Sequence, residues 1–309
     1  LSMTDWLHLL LRFLHYVVLI GLFGLIAYRV TGFRKFDVRD ASGTIAALAV
    51  TGATLAPVLS AALFLVSIGG MMGQSPWKLD AATIEAMVLS TEMGWAFLAR
   101  LAFLLAALAI IVVWTKFRRG LGLAAIFYAL ALLTLGWTGH AAATEGPLGH
   151  IHRINNWAHL LAGGLWIGAV VWFLVLTVKA HRDPQCFAPQ PLLERLHRFA
   201  PWGVSLVATV ALTGLINVHL IFGLDATLKT LETEYGRLLL VKVLFVGAML
   251  GCGARNAAIS RRRHKSGHPS IGSDPAALTA LRGSLAIELL LAAAVIAFVA
   301  AIGINSPME

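Results

Sequence analysis

The chain has 309 residues, of which 59% are hydrophobic and 13% charged, and its mean hydropathy is +0.81. Soluble domains carry roughly 25% charged residues, so a soluble globular protein is excluded and an integral membrane protein is expected. The formal net charge of +9 does not point to nucleic acid, because the cations fall in alternate short loops, as they do on the cytoplasmic side of a bilayer.

A helix needs about 20 apolar residues to cross the hydrocarbon core, and eight such runs occur, at 6–30, 44–70, 94–115, 121–138, 155–178, 203–222, 236–258 and 284–303. Asp5 stands where a cleavable signal would carry basic residues, so the first run is expected to remain as a span. It carries His8, Arg12 and His15 on one helical face. Arg29, Arg34, Lys35 and Arg39 follow it, and the second run ends at Met71 and Met72. An acidic connection with Lys78, Asp80, Glu85 and Met87 leads to Met93 and Arg100 in the third run. Lys116, Arg118 and Arg119 precede the fourth, which closes at Gly139-His140-Ala141. His150 and His152 then lead into the fifth, with Asn156 and His159. Lys179, Arg182, Arg195 and Arg198 separate it from the sixth, which bears Asn217 and His219. The seventh holds Lys242, Met249 and Cys252, and the eighth holds Glu288, for which Arg255 on the seventh is the expected ion-pair partner.

The basic loops, including Arg255, Arg261, Arg262, Arg263, Lys265 and Arg282 before the last span, are the cytoplasmic ones, which puts both termini outside. Cys186 and Cys252 then lie on the inner side, so neither a periplasmic disulfide nor a CxxC metal motif is expected.

The two halves of the chain resemble each other. His8, Arg12, His15 and Gly24 align with His152, Asn156, His159 and Gly168, Pro57 and Gly70 with Pro201 and Gly214, and Thr91-Glu92-Met93-Gly94 and Arg100 with Thr233-Glu234-Tyr235-Gly236 and Lys242. The fold expected is therefore all-α and polytopic, with two parallel four-helix repeats over 5–145 and 146–303 related by an axis along the membrane normal. Gly163, Gly164 and Gly168 would let helices approach closely. One asymmetry stands out: His140 has no counterpart at the end of the last span, which reads Ala301-Ile302-Gly303-Ile304.

Seven of the histidines, at 8, 15, 140, 150, 152, 159 and 219, map to the outer half, and imidazoles inside a membrane are either hydrogen-bonded core residues or ligands. As ligands, His140 and His159 come first, then His15, then His8, His150, His152 and His219, and such a set suits copper or zinc. Met71, Met72 or Met93 nearby would favour Cu(I) through a soft thioether, the alternative being plain gap-filling. Asn217 and Asn156 are candidates to orient a ligating ring. Arg12, Arg100 and Lys242 are embedded cations that oppose a metal ion but suit an anion. They support a different reading, a b-type cytochrome in which His15 and His159 hold haem b and these cations hold its propionates. A role as an accessory or sensor subunit is the third reading. Cys252 with Met249 would make at most a minor inner metal site. No nucleotide-binding or hydrolytic motif is present, so the protein is expected not to be an enzyme.

The series Arg12-Phe13-Leu14-His15, Gly139-His140-Ala141, His159 through Gly168, Thr213-Gly214-Leu215-Ile216-Asn217, Tyr235 through Lys242 and Asn256 resembles, over essentially the whole chain, the CopD/PcoD family of copper-resistance inner-membrane proteins. That resemblance implies an eight-span protein of the bacterial inner membrane. It would bind copper ion on the periplasmic side, move it inward, and work beside a small periplasmic CopC-like copper protein.

Overall fold

With no water in the bilayer core, a spanning segment must satisfy its own backbone donors and acceptors, and the apolar runs do so as helices. The computed structural model describes residues 3–32, 39–114, 118–138, 146–182, 189–222, 233–265 and 275–303. Helices α1 (Met3–Thr31), α2 (Arg39–Met71), α3 (Ala81–Ser90), α4 (Glu92–Trp114), α5 (Arg118–Leu133), α6 (Gly146–Arg182), α7 (Pro189–Phe222), α8 (Glu234–Lys265) and α9 (Pro275–Ile302) follow in order. Two 3₁₀ turns, Pro76–Lys78 and Thr134–Trp137, complete the described elements, and no strand occurs among the described residues. Eight helical segments among the described residues, all but α3 and with α5 continued through the Thr134–Trp137 turn, are long and apolar enough to span. The chain is an all-α, multi-pass membrane protein.

Most spans overrun their apolar runs. Helix α6 begins at Gly146 and ends at Arg182, because polar residues at the interface continue a helix as readily as apolar ones and only the buried stretch needs to be apolar. The short α3 occupies the connection that composition alone reads as an outer loop. Its start is fixed by Asp80, whose carboxylate accepts the Thr83 backbone N–H at 2.6 Å.

That bond, to the backbone N–H first and foremost, holds the exposed Asp80 carboxyl below the usual carboxylate range. A depressed value means that the cap is complete above the unfolded carboxylate pKa of about 3.9 and is lost as pH falls through the lower folded value. The Thr83 amide resonance is expected to titrate with a midpoint below that of a free aspartate and to stop titrating in Asp80→Asn. An unshifted midpoint would remove the cap.

The repeated Thr-Glu-x-Gly motif also has a backbone reason. Thr91 Oγ1 accepts the Gly94 N–H at 2.9 Å at the start of α4, and Thr233 Oγ1 accepts the Gly236 N–H at 3.1 Å at the start of α8. Both are helix N-caps. A Cβ on Gly94 would run into the Met87 and Val88 carbonyls, which end α3.

Helices α1 and α6 form the centre. Gly24 lies against Gly164 and Gly168, where a Cβ would come within 3.0 Å of the Gly168 backbone. Further along, Trp172 Nε1 donates to the Leu25 carbonyl at 2.9 Å, and the Tyr28 and Phe173 rings sit 6.0 Å apart. Advancing along α1 advances along α6, so the two run in the same direction. Small residues permit this approach where apolar burial offers no driving force between helices.

On one side, Leu19, Leu22, Phe23 and Ile26 pack with Ala53 of α2, Leu104 of α4 and Tyr128 of α5. On the other, Trp166, Trp172 and Phe173 pack with Leu192 of α7, Met249 of α8 and Leu285 of α9. Helices α7 and α8 turn apolar side chains such as Trp202, Leu215 and Leu244 outward, as lipid-facing surfaces do.

Candidate functional site

Among the described residues, the polar groups inside the spans gather in three places, each seeded by a residue that apolar surroundings would otherwise penalise. The first lies between α6 and α7. His159 Nδ1 is 2.9 Å from Thr213 Oγ1, and that hydroxyl donates in turn to the Thr209 carbonyl. With its hydrogen committed, Thr213 Oγ1 must accept, so Nδ1 carries the ring proton and Nε2 keeps a free lone pair. Asn155 Nδ2 donates to the Thr213 carbonyl and to Asn217 Oδ1, both at 2.8 Å, fixing α6 to α7 beside the ring. Lys242 on α8 is the cation that acts on this imidazole.

The second lies between α1 and α2. His15 is fully buried, with Nε2 2.8 Å from Ser60 Oγ, and its Nδ1 has no partner among the described residues. About two turns away along α1, His8 Nε2 stands at the longer distance of 3.5 Å from Ser67 Oγ. Arg100 is buried on α4 and donates to Thr134 Oγ1 at 2.7 Å, and no carboxylate pairs with it among the described residues. Arg12 is spent on the end of α9, donating to the Gly303 carbonyl at 2.8 Å and to Tyr16 Oη at 3.1 Å. That contact places a cation on the carbonyl end of a helix dipole.

The third lies between α6, α8 and α9. Glu288 accepts the Trp166 indole N–H at 2.9 Å and the Asn256 amide N–H at 3.0 Å. This corrects the expected ion pair with Arg255, which is exposed. One residue turns a helix by about 100°, and it is the neighbouring Asn256 that faces inward. The same one-residue shift applies to Asn156, since Asn155 makes the bonds beside His159.

The remaining sequence candidates are scattered. His140 lies outside the described residues. His150 is exposed, with Arg153 Nη2 3.4 Å from its Nδ1. His152 is buried, and His219 is exposed. Met71 and Met72 are exposed at the end of α2, whereas Met93 packs against the Phe64, Ile68 and Phe97 cluster. No group of three His, Cys, Asp or Glu side chains comes together among the described residues. His15 and His159 therefore stand apart from each other, each bonded to a hydroxyl of the following helix. Thr213, Ser60 and Thr134 are the partners that pattern reading does not single out as such, because a hydroxyl is common in membrane helices and its partner lies dozens of positions away.

Comparison with known proteins gives a consistent result. Residues 3–150 match the family described as "Copper resistance protein D-like, N-terminal domain", and residues 193–302 match "Copper resistance protein D". The chain is 31% identical to copper resistance protein D of Pseudomonas syringae pv. tomato, over 99% of this chain and 98% of that protein. It is 28% identical to inner membrane protein YebZ of Escherichia coli (strain K12), over 78% of this chain and 79% of that protein. It is 29% identical to copper transport protein CutJ of Bacillus subtilis (strain 168), over 46% of this chain and 25% of that protein. No solved structure matches.

Proposed function

Because the chain belongs to the copper resistance protein D family, we propose that it carries copper ion inward across the bacterial inner membrane, with His159 as its principal ligand on the outer side. The observation that carries this reading is the Thr209–Thr213–His159 chain, which leaves one imidazole nitrogen unprotonated inside a membrane helix bundle. A neutral ring with a fixed tautomer is what a soft metal ion needs from histidine.

Lys242 tempers the site. A cation placed at Nε2 is repelled by the ammonium, which suits transit better than storage, since a conducting site must also release its ion. The exposed Met71 and Met72 supply thioethers at the outer surface, and His140 and His15 are the next imidazoles proposed to serve the ion. A CopC-like periplasmic protein is the proposed donor, and both termini face it. In this reading 5–145 and 146–303 are duplicated halves, a view supported by Gly24 meeting its aligned partner Gly168 at the centre.

Proteoliposomes holding the purified protein are expected to take up Cu(I) faster than empty vesicles, and His159→Ala is expected to abolish the difference. Uptake equal to that of empty vesicles, with or without a periplasmic donor, would sink the transport reading. A Soret band in the purified protein would move the histidines to haem.

A further inference from the structure

Glu288 sits near the middle of α9 with 2% of its surface exposed. Both carboxylate oxygens are engaged, one by the Trp166 indole and one by the Asn256 amide, and both donors are neutral. Every element packed around it lacks a facing counter-charge among the described residues. On α6 the nearest titratable groups along the chain are His159, bonded to Thr213, and Lys179 in the last turn. On α8 they are Cys252, half-buried one turn from Asn256, and the exposed Arg255. On α1 they are Arg29 in the last turn and Tyr28, packed on Phe173 and Phe199, whereas Arg12 is committed to Gly303 at the far end of α9. On α9 itself Arg282 precedes Glu288 by almost two turns. An ionised carboxylate held only by two neutral donors, away from water, is expensive.

Asn256 supplies the second observation. Its residue is 4% exposed, and its carbonyl Oδ1 is buried with no donor among the described residues. An amide has both a donor and an acceptor end, and a half turn about its terminal bond exchanges them. While Glu288 is ionised, Asn256 gives its N–H to Oε2. Once a proton adds to Oε2, the acid has an O–H to donate, and the turned amide offers Oδ1 to accept it. The same pair therefore satisfies both protonation states, and Trp166 keeps its bond to Oε1 in each.

We propose that Glu288 and Asn256, between α6, α8 and α9, form an intramembrane proton-binding site that takes up and releases one proton per cycle. Resting on the copper reading above, that proton is the one coupled to movement of the ion. The step is a proton transfer alone: the carboxylate gains H⁺ from the aqueous phase on one side and returns it to the other, with no change in oxidation state.

Infrared difference spectra of the full protein in detergent, taken as pH is stepped, read the site directly. A protonated-carboxyl C=O band is expected to grow as pH falls, to disappear in Glu288→Gln, and to change frequency and midpoint in Asn256→Leu. Glu288→Asp, which keeps a carboxyl, should shift the band rather than delete it, so a misfolded glutamine variant does not leave the question open. A pH-difference spectrum identical in wild type, Glu288→Gln and Glu288→Asp would overturn the proposal. Proteoliposomes with a trapped pH dye then read the coupling with Cu(I) as the added ion. Copper entry accompanied by a luminal pH change in wild type, and pH-independent or lost in Glu288→Gln, supports coupling. Copper entry with no pH change overturns coupling and leaves the copper reading standing. A titrating band without copper entry sinks the copper reading and keeps the proton site.

Discussion

Leucine at Gly168 is expected to dismantle the centre of the molecule. A Cβ there would collide with the Gly24 backbone, and one on Gly24 would meet the Gly164 carbonyl and the Gly168 backbone. These are backbone obstacles on two helices that between them pack against α2, α5, α7 and α9, so no side chain can swing aside to relieve them. Overpacking a core costs about 1–3 kcal/mol where rotamers can adjust; for Gly24→Ala and Gly168→Ala the expected loss lies at or above the top of that range, and leucine at either site should prevent recovery of monodisperse protein. Gly163 provides the internal control, because a Cβ there meets nothing closer than Val210 Cγ2 at 4.0 Å. Thermal unfolding in detergent should show Gly163→Ala near wild type and Gly168→Ala far below it. Equal midpoints for the two would mean that α1 and α6 do not cross at these glycines.

The second large effect concerns the imidazole. Removing a hydrogen-bonding partner of a metal-ligating histidine typically lowers affinity by about 10–100-fold, so Thr213→Val is expected to weaken Cu(I) binding by that factor. Thr213→Ser, which keeps the hydroxyl and its bond to the Thr209 carbonyl, should stay near wild type. His159→Ala should go below Thr213→Val, since it removes the ligand and not only its orientation. Competition against a chromophoric Cu(I) chelator measures all three. If Thr213→Val binds as wild type does while His159→Ala is silent, the ring is a ligand but its tautomer is not set by Thr213. His15 is a useful contrast: its ring meets a serine whose hydroxyl is not tied to a backbone carbonyl among the described residues, and Arg100 and Arg12 act on it. His15→Ala is expected to cost less copper affinity than His159→Ala.

Several of these features were visible before the structure. The apolar runs named the eight spans, and the paired positions Gly24 and Gly168 and the Thr-Glu-x-Gly motif were visible as repeats. Their meaning was not. The motif is a helix cap, which local sequence can suggest, whereas the glycine pair is a contact between helices that sequence alone does not bring together. The Glu288 partner was misassigned because opposite charge is a persuasive sequence signal, while the facing of Arg255 and Asn256 depends on how α8 is rotated. In a protein apolar on all sides, periodicity does not report that rotation.

The sequence by itself determined what lipid enforces residue by residue: helices over strands, the number of spans and the basic connections between them. Those follow from the cost of leaving backbone or charge unsatisfied in hydrocarbon, a cost set by composition and length. Only the tertiary structure decided which polar groups meet. His159 is turned to Thr213, Arg100 to Thr134 and Glu288 to Asn256 by the close approach of particular helices. Partners dozens of residues apart are selected by packing geometry, which no local pattern encodes.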